Sequence, residues 1–121
     1  MLQIVLVVDD ETDVAHTCAR VLKKAGFECL LAYDSPEALA LLDSGRPSLL
    51  LCDINLPTHD GFAVARHAHE KAPSTPIILM TGNDGIDLAK AAKVGAAHYL
   101  RKPFSNSELI SAVRSLLAPG R

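Results

Sequence analysis

The chain has 121 residues, 49% hydrophobic and 21% charged, with a formal net charge of −2. That length makes one domain, able to bury a single core without staples. The absence of a basic block argues against nucleic-acid contact by this domain, and the absence of an apolar run near ~18 residues argues against a membrane span.

Met1–Val8 lacks a basic leader and runs straight into Asp9-Asp10-Glu11, unlike a signal peptide, so a cytoplasmic location is expected. Within it, Ile4–Val8 is a continuous β-branched and aliphatic run, suited to a strand buried on both faces of a parallel sheet. A helix follows, with Val14, Cys18, Val21, Leu22 and Ala25 on one stripe and Gly26 as its stop. The second strand is Glu28–Tyr33. Asp34-Ser35-Pro36-Glu37 then supplies a cap, an early proline and an acidic first turn for a helix through Asp43, broken by Ser44-Gly45-Arg46-Pro47.

Leu49–Cys52 is the third strand, ending at Asp53. After the loop Ile54–Asp60, a helix runs from about Gly61 to Ala72, just before Pro73. The fourth strand, Ile77–Met80, ends at Thr81. An Ala-rich helix from about Gly85 to Val94 starts among glycines and is weakly anchored. Ala97–Leu100 is the fifth strand, left by Arg101-Lys102-Pro103. Asn106 or Ser105 caps a last helix with the stripe Leu109, Val113, Leu116 and Leu117. The cysteines Cys18, Cys29 and Cys52 are odd in number, far apart and set among apolar neighbours, so they read as buried reduced thiols.

This alternation gives an α/β fold: a single doubly wound (βα)₅ domain, a parallel sheet with helices on both faces and right-handed crossovers. The domain takes in residues 1–121, with 118–121 as a fraying end or the start of a linker. In such sheets ligands bind beyond the carboxyl ends of the strands. Those ends present Asp9-Asp10-Glu11, Asp53, Thr81 and Lys102-Pro103 along one edge. Each has a plainer alternative: Asp9 or Asp10 as a cap of the first helix, Thr81 as a cap of the fourth, Lys102 as an ordinary surface lysine. Their joint placement favours a site. Three carboxylates brought within about 5 Å repel by roughly 3 kcal/mol per pair at an effective dielectric of about 20. Such a cluster raises a pKa or holds a cation, and hard oxygen donors without His or Cys select Mg²⁺ or Ca²⁺. Open positions for water and phosphate favour Mg²⁺. Nucleophilic carboxylates, a cation, an ammonium and a hydroxyl together suit phosphoryl transfer.

The motifs Val7-Val8-Asp9-Asp10-Glu11, Asp53-Ile54-Asn55-Leu56-Pro57-Thr58-His59-Asp60-Gly61, Thr81-Gly82 and Gly95-Ala96-Ala97-His98-Tyr99-Leu100-Arg101-Lys102-Pro103-Phe104 stand in order. In these the chain resembles the receiver domains of bacterial two-component response regulators from about Gln3 to Leu117. The resemblance implies a flavodoxin-like sheet of order 2-1-3-4-5. It implies Asp53 as phosphoacceptor from a sensor histidine kinase or phosphotransfer protein. Asp10, Asp53 and the Asn55 carbonyl bind Mg²⁺, with Asp9 acting through a water. Thr81, Lys102 and the backbone amides of Asn55 and Gly82 contact the phosphoryl oxygens, and the bond before Pro103 is cis. The implied switch couples Thr81 to Tyr99 and remodels the surface of the fourth helix, fifth strand and fifth helix. A downstream output domain or protein is the implied reader, with room for a phosphorylation-dependent homodimer. The only reaction implied is the domain's own phosphorylation and dephosphorylation. Asn55 and Asn83 hold positions that tune phosphoryl lifetime in the family.

His67 and His69 point different ways on one helix and read as solvated surface, and His59 as a polar loop residue. Other readings fit less well. A haloacid-dehalogenase phosphatase needs a general acid where Asn55 stands. A flavodoxin-like cofactor site would be repelled by Asp9-Asp10-Glu11. A degenerate receiver, acting only as an interaction module, would not need the full acceptor set.

Overall fold

The computed structural model describes residues 3–57, 60–82 and 87–117. Strands and helices alternate as β1 (Ile4–Val8), α1 (Thr12–Lys24), β2 (Glu28–Ala32), α2 (Ser35–Gly45), β3 (Leu49–Asp53), α3 (Gly61–Lys71), β4 (Ile77–Thr81), α4 (Leu88–Lys93), β5 (Ala96–Arg101) and α5 (Asn106–Leu116). All strand pairs are parallel, in the order β2-β1-β3-β4-β5. This is the flavodoxin-like arrangement expected from the motifs.

Side chains alternate across a strand, so each central strand feeds two cores. Val5, Val7, Leu49, Leu51, Ile78 and Met80 face α1 and α5, meeting Ala15, Leu22, Leu109 and Val113. Leu6, Val8, Leu50, Cys52, Ile77 and Leu79 face the other way, onto Ala38, Phe62, Ala65, Ala68 and Val94. Both β3 and β4 are buried throughout, which is why they read as unbroken apolar runs. Each such aliphatic side chain contributes about 2 kcal/mol on burial.

Several boundaries differ from the sequence reading. The stripe of α1 is centred on Ala15, Cys18, Ala19 and Leu22, while Val14, Val21 and Ala25 are only partly buried. The small alanines let the helix approach the sheet more closely than a Val-led stripe would. Tyr33 lies past the end of β2, where its N–H donates to Glu37 Oε1 at 2.8 Å. Gly45 ends α2 rather than breaking it earlier, and the left-handed turn falls on Arg46 at φ 44°. A methyl on Gly45 would stand 2.7 Å from Leu30 Cδ1, so close packing explains this glycine.

The fourth helix is shorter than its alanines suggest. It starts at Leu88, with Asp87 as N-cap accepting from the Lys90 amide. Gly85, the expected start, lies outside the described residues, as do Thr58, His59, Asn83 and 118–121. Strand β5 gains Ala96 and Arg101 over the expected span. Ser105, not Asn106, caps α5, in a reciprocal capping box with Glu108.

Cys18 and Cys52 are buried and Cys29 is half-buried, all as free thiols. Burial pushes Cys18 and Cys29 up to about 11 and Cys52 well above the ordinary thiol range, so none is a ready nucleophile. No helix among the described residues is long and apolar enough to cross a membrane.

Candidate functional site

The sheet's hydrogen-bond ladder continues one step past its strands and carries the polar residues with it. The Asp9 amide donates to the Ala32 carbonyl at 3.1 Å, Ile54 to Met80 at 3.0 Å and Lys102 to Thr81 at 2.7 Å. Asp9, Asp53, Thr81 and Lys102 are therefore brought to one edge by backbone pairing. Asp9 is 0% exposed, Asp53 3% and Thr81 2%.

Lys102 binds the acidic residues together. Its Nζ lies 2.7 Å from Asp9 Oδ2, 3.1 Å from Asp53 Oδ2 and 3.1 Å from Glu11 Oε1. Oxygens of Asp9, Asp10 and Asp53 all fall within 4.8 Å of one another. The other Asp53 oxygen, Oδ1, accepts from the Asn55 amide at 3.1 Å. The bond between Lys102 and Pro103 is cis, as expected.

The plainer alternatives do not hold. Glu11 is the N-cap of α1 and makes no side-chain capping bond, while Asp9 Oδ1 takes the amide of Glu11 itself at 2.9 Å. Asp87 rather than Thr81 caps α4. The Lys102 side chain is only 15% exposed. The sequence assigned Glu11 no role, and its contact with Lys102 is new.

Burial pushes the Asp9 carboxyl above its ordinary pKa, and the neighbouring Asp53 charge adds to this; Lys102 and the Glu11 amide oppose it. Burial alone would lower Lys102, but its hydrogen bonds to Asp9 and Asp53, with their charges, outweigh that and move it upward. Lys102 is therefore a fixed cation. Asp9 Oδ2 is also a buried oxygen without a well-aligned hydrogen bond, despite the nearby ammonium. A clustered hard-oxygen set with one such oxygen fits a small divalent cation.

The chain enters α3 directly over Asp53. Asp60 caps this helix through the Ala63 amide, and the Gly61 amide donates to the Ile54 carbonyl at 2.8 Å. A Cβ on Gly61 would overlap the Asp53 carbonyl oxygen and stand 2.6 Å from Ile54 Cα. Those are backbone atoms that cannot step aside. Gly61→Ala is expected to cost about 2–3 kcal/mol, read as a lower urea midpoint at unchanged slope.

Other expectations resolve differently. His67 is not solvated surface: its Nε2 lies 2.9 Å from Asp43 Oδ1 on α2. His69 packs its ring against Gly95, so the two histidines do point apart. Tyr99 is 45% exposed and lies beside the His98 ring, outside the core. Gly82 is exposed next to Thr81.

Comparison with known proteins decides the family. The model of the response regulator receiver domain matches residues 5–114. This chain belongs to the receiver domain family. Among solved structures, a CheY-like receiver domain protein from Methanospirillum hungatei is 28% identical, with a TM-score of 0.91, over 95% of this chain and 93% of that one. CheY4 of Vibrio cholerae is 28% identical at a TM-score of 0.89, over 97% of this chain and 100% of its own. NtrX from Brucella abortus is 31% identical at 0.88, over 96% of this chain but only 27% of its own length. There a receiver domain is one part of a longer chain.

Proposed function

We propose that this receiver domain is a phosphorylation switch whose acceptor is Asp53. The observation that carries the reading is the Lys102 ammonium, 3.1 Å from an Asp53 oxygen, inside a cluster of aspartates that also suits a cation. An oxygen of Asp53 attacks the phosphorus of a kinase or phosphotransfer-protein phosphohistidine. An O–P bond forms, the P–N bond breaks, and the imidazole leaves with the electron pair and takes a proton. The product is an acyl phosphate.

Asp10, Asp53 and the Asn55 carbonyl are the residues that would hold Mg²⁺, with Asp9 reaching it through water. Bound there, Mg²⁺ supplies charge neutralisation for the transferred oxygens. Lys102 supplies a second, permanent positive charge. The Thr81 hydroxyl and the amides of Asn55 and Gly82 donate to the phosphoryl group. A cleft of about 530 Å³ lined by Val14, Cys18, Val21, Phe104 and Leu109 opens beside Lys102 and suits a docking phosphodonor.

The acquired phosphoryl group carries a charge of about −2, which draws Thr81 inward. Tyr99, now outside, follows into the space released, and the surface of α4, β5 and α5 changes shape for an output domain, an output protein or a second copy. The domain acts in the cytoplasm and catalyses only its own phosphorylation and dephosphorylation.

Incubation with acetyl phosphate is expected to give an acid-stable, hydroxylamine-labile phosphate on one aspartate, dependent on added Mg²⁺. Absence of that adduct, or steady turnover of a chromophoric phosphate ester, would overturn the reading.

A further inference from the structure

An ammonium has three N–H donors. In Lys102 they meet three carboxylates, from Asp9, Glu11 and Asp53, at 2.7, 3.1 and 3.1 Å. A fourth acceptor gains a donor only if one of these lets go. Asp9 is fully buried, and releasing it would strand a charge out of water. Asp53 is the reacting group. The Glu11 side chain is 63% exposed, so its carboxylate is rehydrated on release and is the partner most cheaply lost.

A second observation concerns Glu11 itself. It occupies the N-cap of α1, yet its side chain bonds none of the helix amides. Its carboxylate instead reaches Lys102, 91 positions away in the chain. We infer that Glu11 is a positioning residue: it holds one Lys102 donor toward α1 in the resting state and yields it to the incoming phosphoryl oxygens. The inference rests on the phosphoacceptor reading of Asp53. Glu11 competes with the phosphoryl group for the same N–H and repels an anionic donor, so it slows phosphate uptake.

The test compares wild type, Glu11→Ala, Glu11→Gln and Glu11→Asp, all monitored for unchanged thermal unfolding. Uptake from acetyl phosphate at fixed Mg²⁺ is expected to rise about two- to fivefold in Glu11→Ala and Glu11→Gln. Glu11→Asp keeps the charge but is one methylene short, so it is expected to speed uptake as well. If Glu11→Asp behaves as wild type while Glu11→Ala is faster, charge alone explains the effect and the contact is refuted.

Proton exchange of the Lys102 ¹⁵N ammonium, followed by NMR without phosphodonor, reads the contact directly. It is expected to be slow in wild type and faster in Glu11→Ala and Glu11→Asp; equal exchange overturns the inference. Labelled wild type with an unchanged rate in Glu11→Ala overturns it alone. Wild type that takes no phosphate overturns the phosphoacceptor reading instead, and the exchange measurement still decides the contact.

Discussion

Asp53→Asn loses more than about 100-fold of its Mg²⁺-dependent labelling by acetyl phosphate, because a neutral amide oxygen is a poor nucleophile toward phosphorus. The substitution preserves shape, so the Asn55 amide keeps an acceptor where Asp53 Oδ1 stood. Stability is expected to hold or rise slightly. The Asp53 charge contributes to the upward shift of Asp9, and removing it relieves that repulsion. Loss of labelling with an intact melting curve thus separates chemistry from folding. Labelling that persists in this variant means that another side chain takes the phosphate.

Lys102→Met is the second large effect, and here the expected loss is in stability. Methionine fills similar space but removes the only cation that contacts Asp9, Glu11 and Asp53 among the described residues. Breaking a buried pair by deleting one member costs about 3–5 kcal/mol; the part-exposed Lys102 places this site near 3 kcal/mol. The loss depends on pH in a definite direction. Asp9 already has a raised carboxyl pKa, and Lys102 is among the groups that hold it down, so the variant raises it further. A carboxyl whose folded pKa exceeds its unfolded value of about 4 favours the folded state when protonated. The variant is therefore closest to wild type in acid, and the gap widens as pH rises through the raised Asp9 pKa. Added Mg²⁺ should narrow the gap at neutral pH, since it replaces the missing charge. Urea unfolding at acid and neutral pH, with and without Mg²⁺, measures both effects; a pH-independent gap would remove Asp9 from the argument.

The parallel strands were legible because burial on both faces writes itself as unbroken aliphatic runs such as Leu49–Cys52 and Ile77–Met80. The strand-end residues followed from the same runs, since Asp53 and Thr81 stand where the apolar stretch stops. Strand order did not follow from alternation and came from motif resemblance. The start of α4 was misread because its alanines carry helix propensity but no boundary, whereas the boundary lies in the Asp87 side chain. The contacts of Glu11 with Lys102 and of His67 with Asp43 join residues 91 and 24 positions apart. No local pattern encodes such pairings; they exist only once the sheet has brought the chain together.

The ladder bonds that reach beyond the strand ends, at Asp9, Ile54 and Lys102, carry an architectural consequence. Reactive side chains here are mounted on the frame, and the connecting loops merely hang from it. Loop composition can then drift toward new recognition partners while the spacing of the reactive groups is preserved. Diversity of signalling input and permanence of chemistry are, in this molecule, assigned to different parts of the backbone.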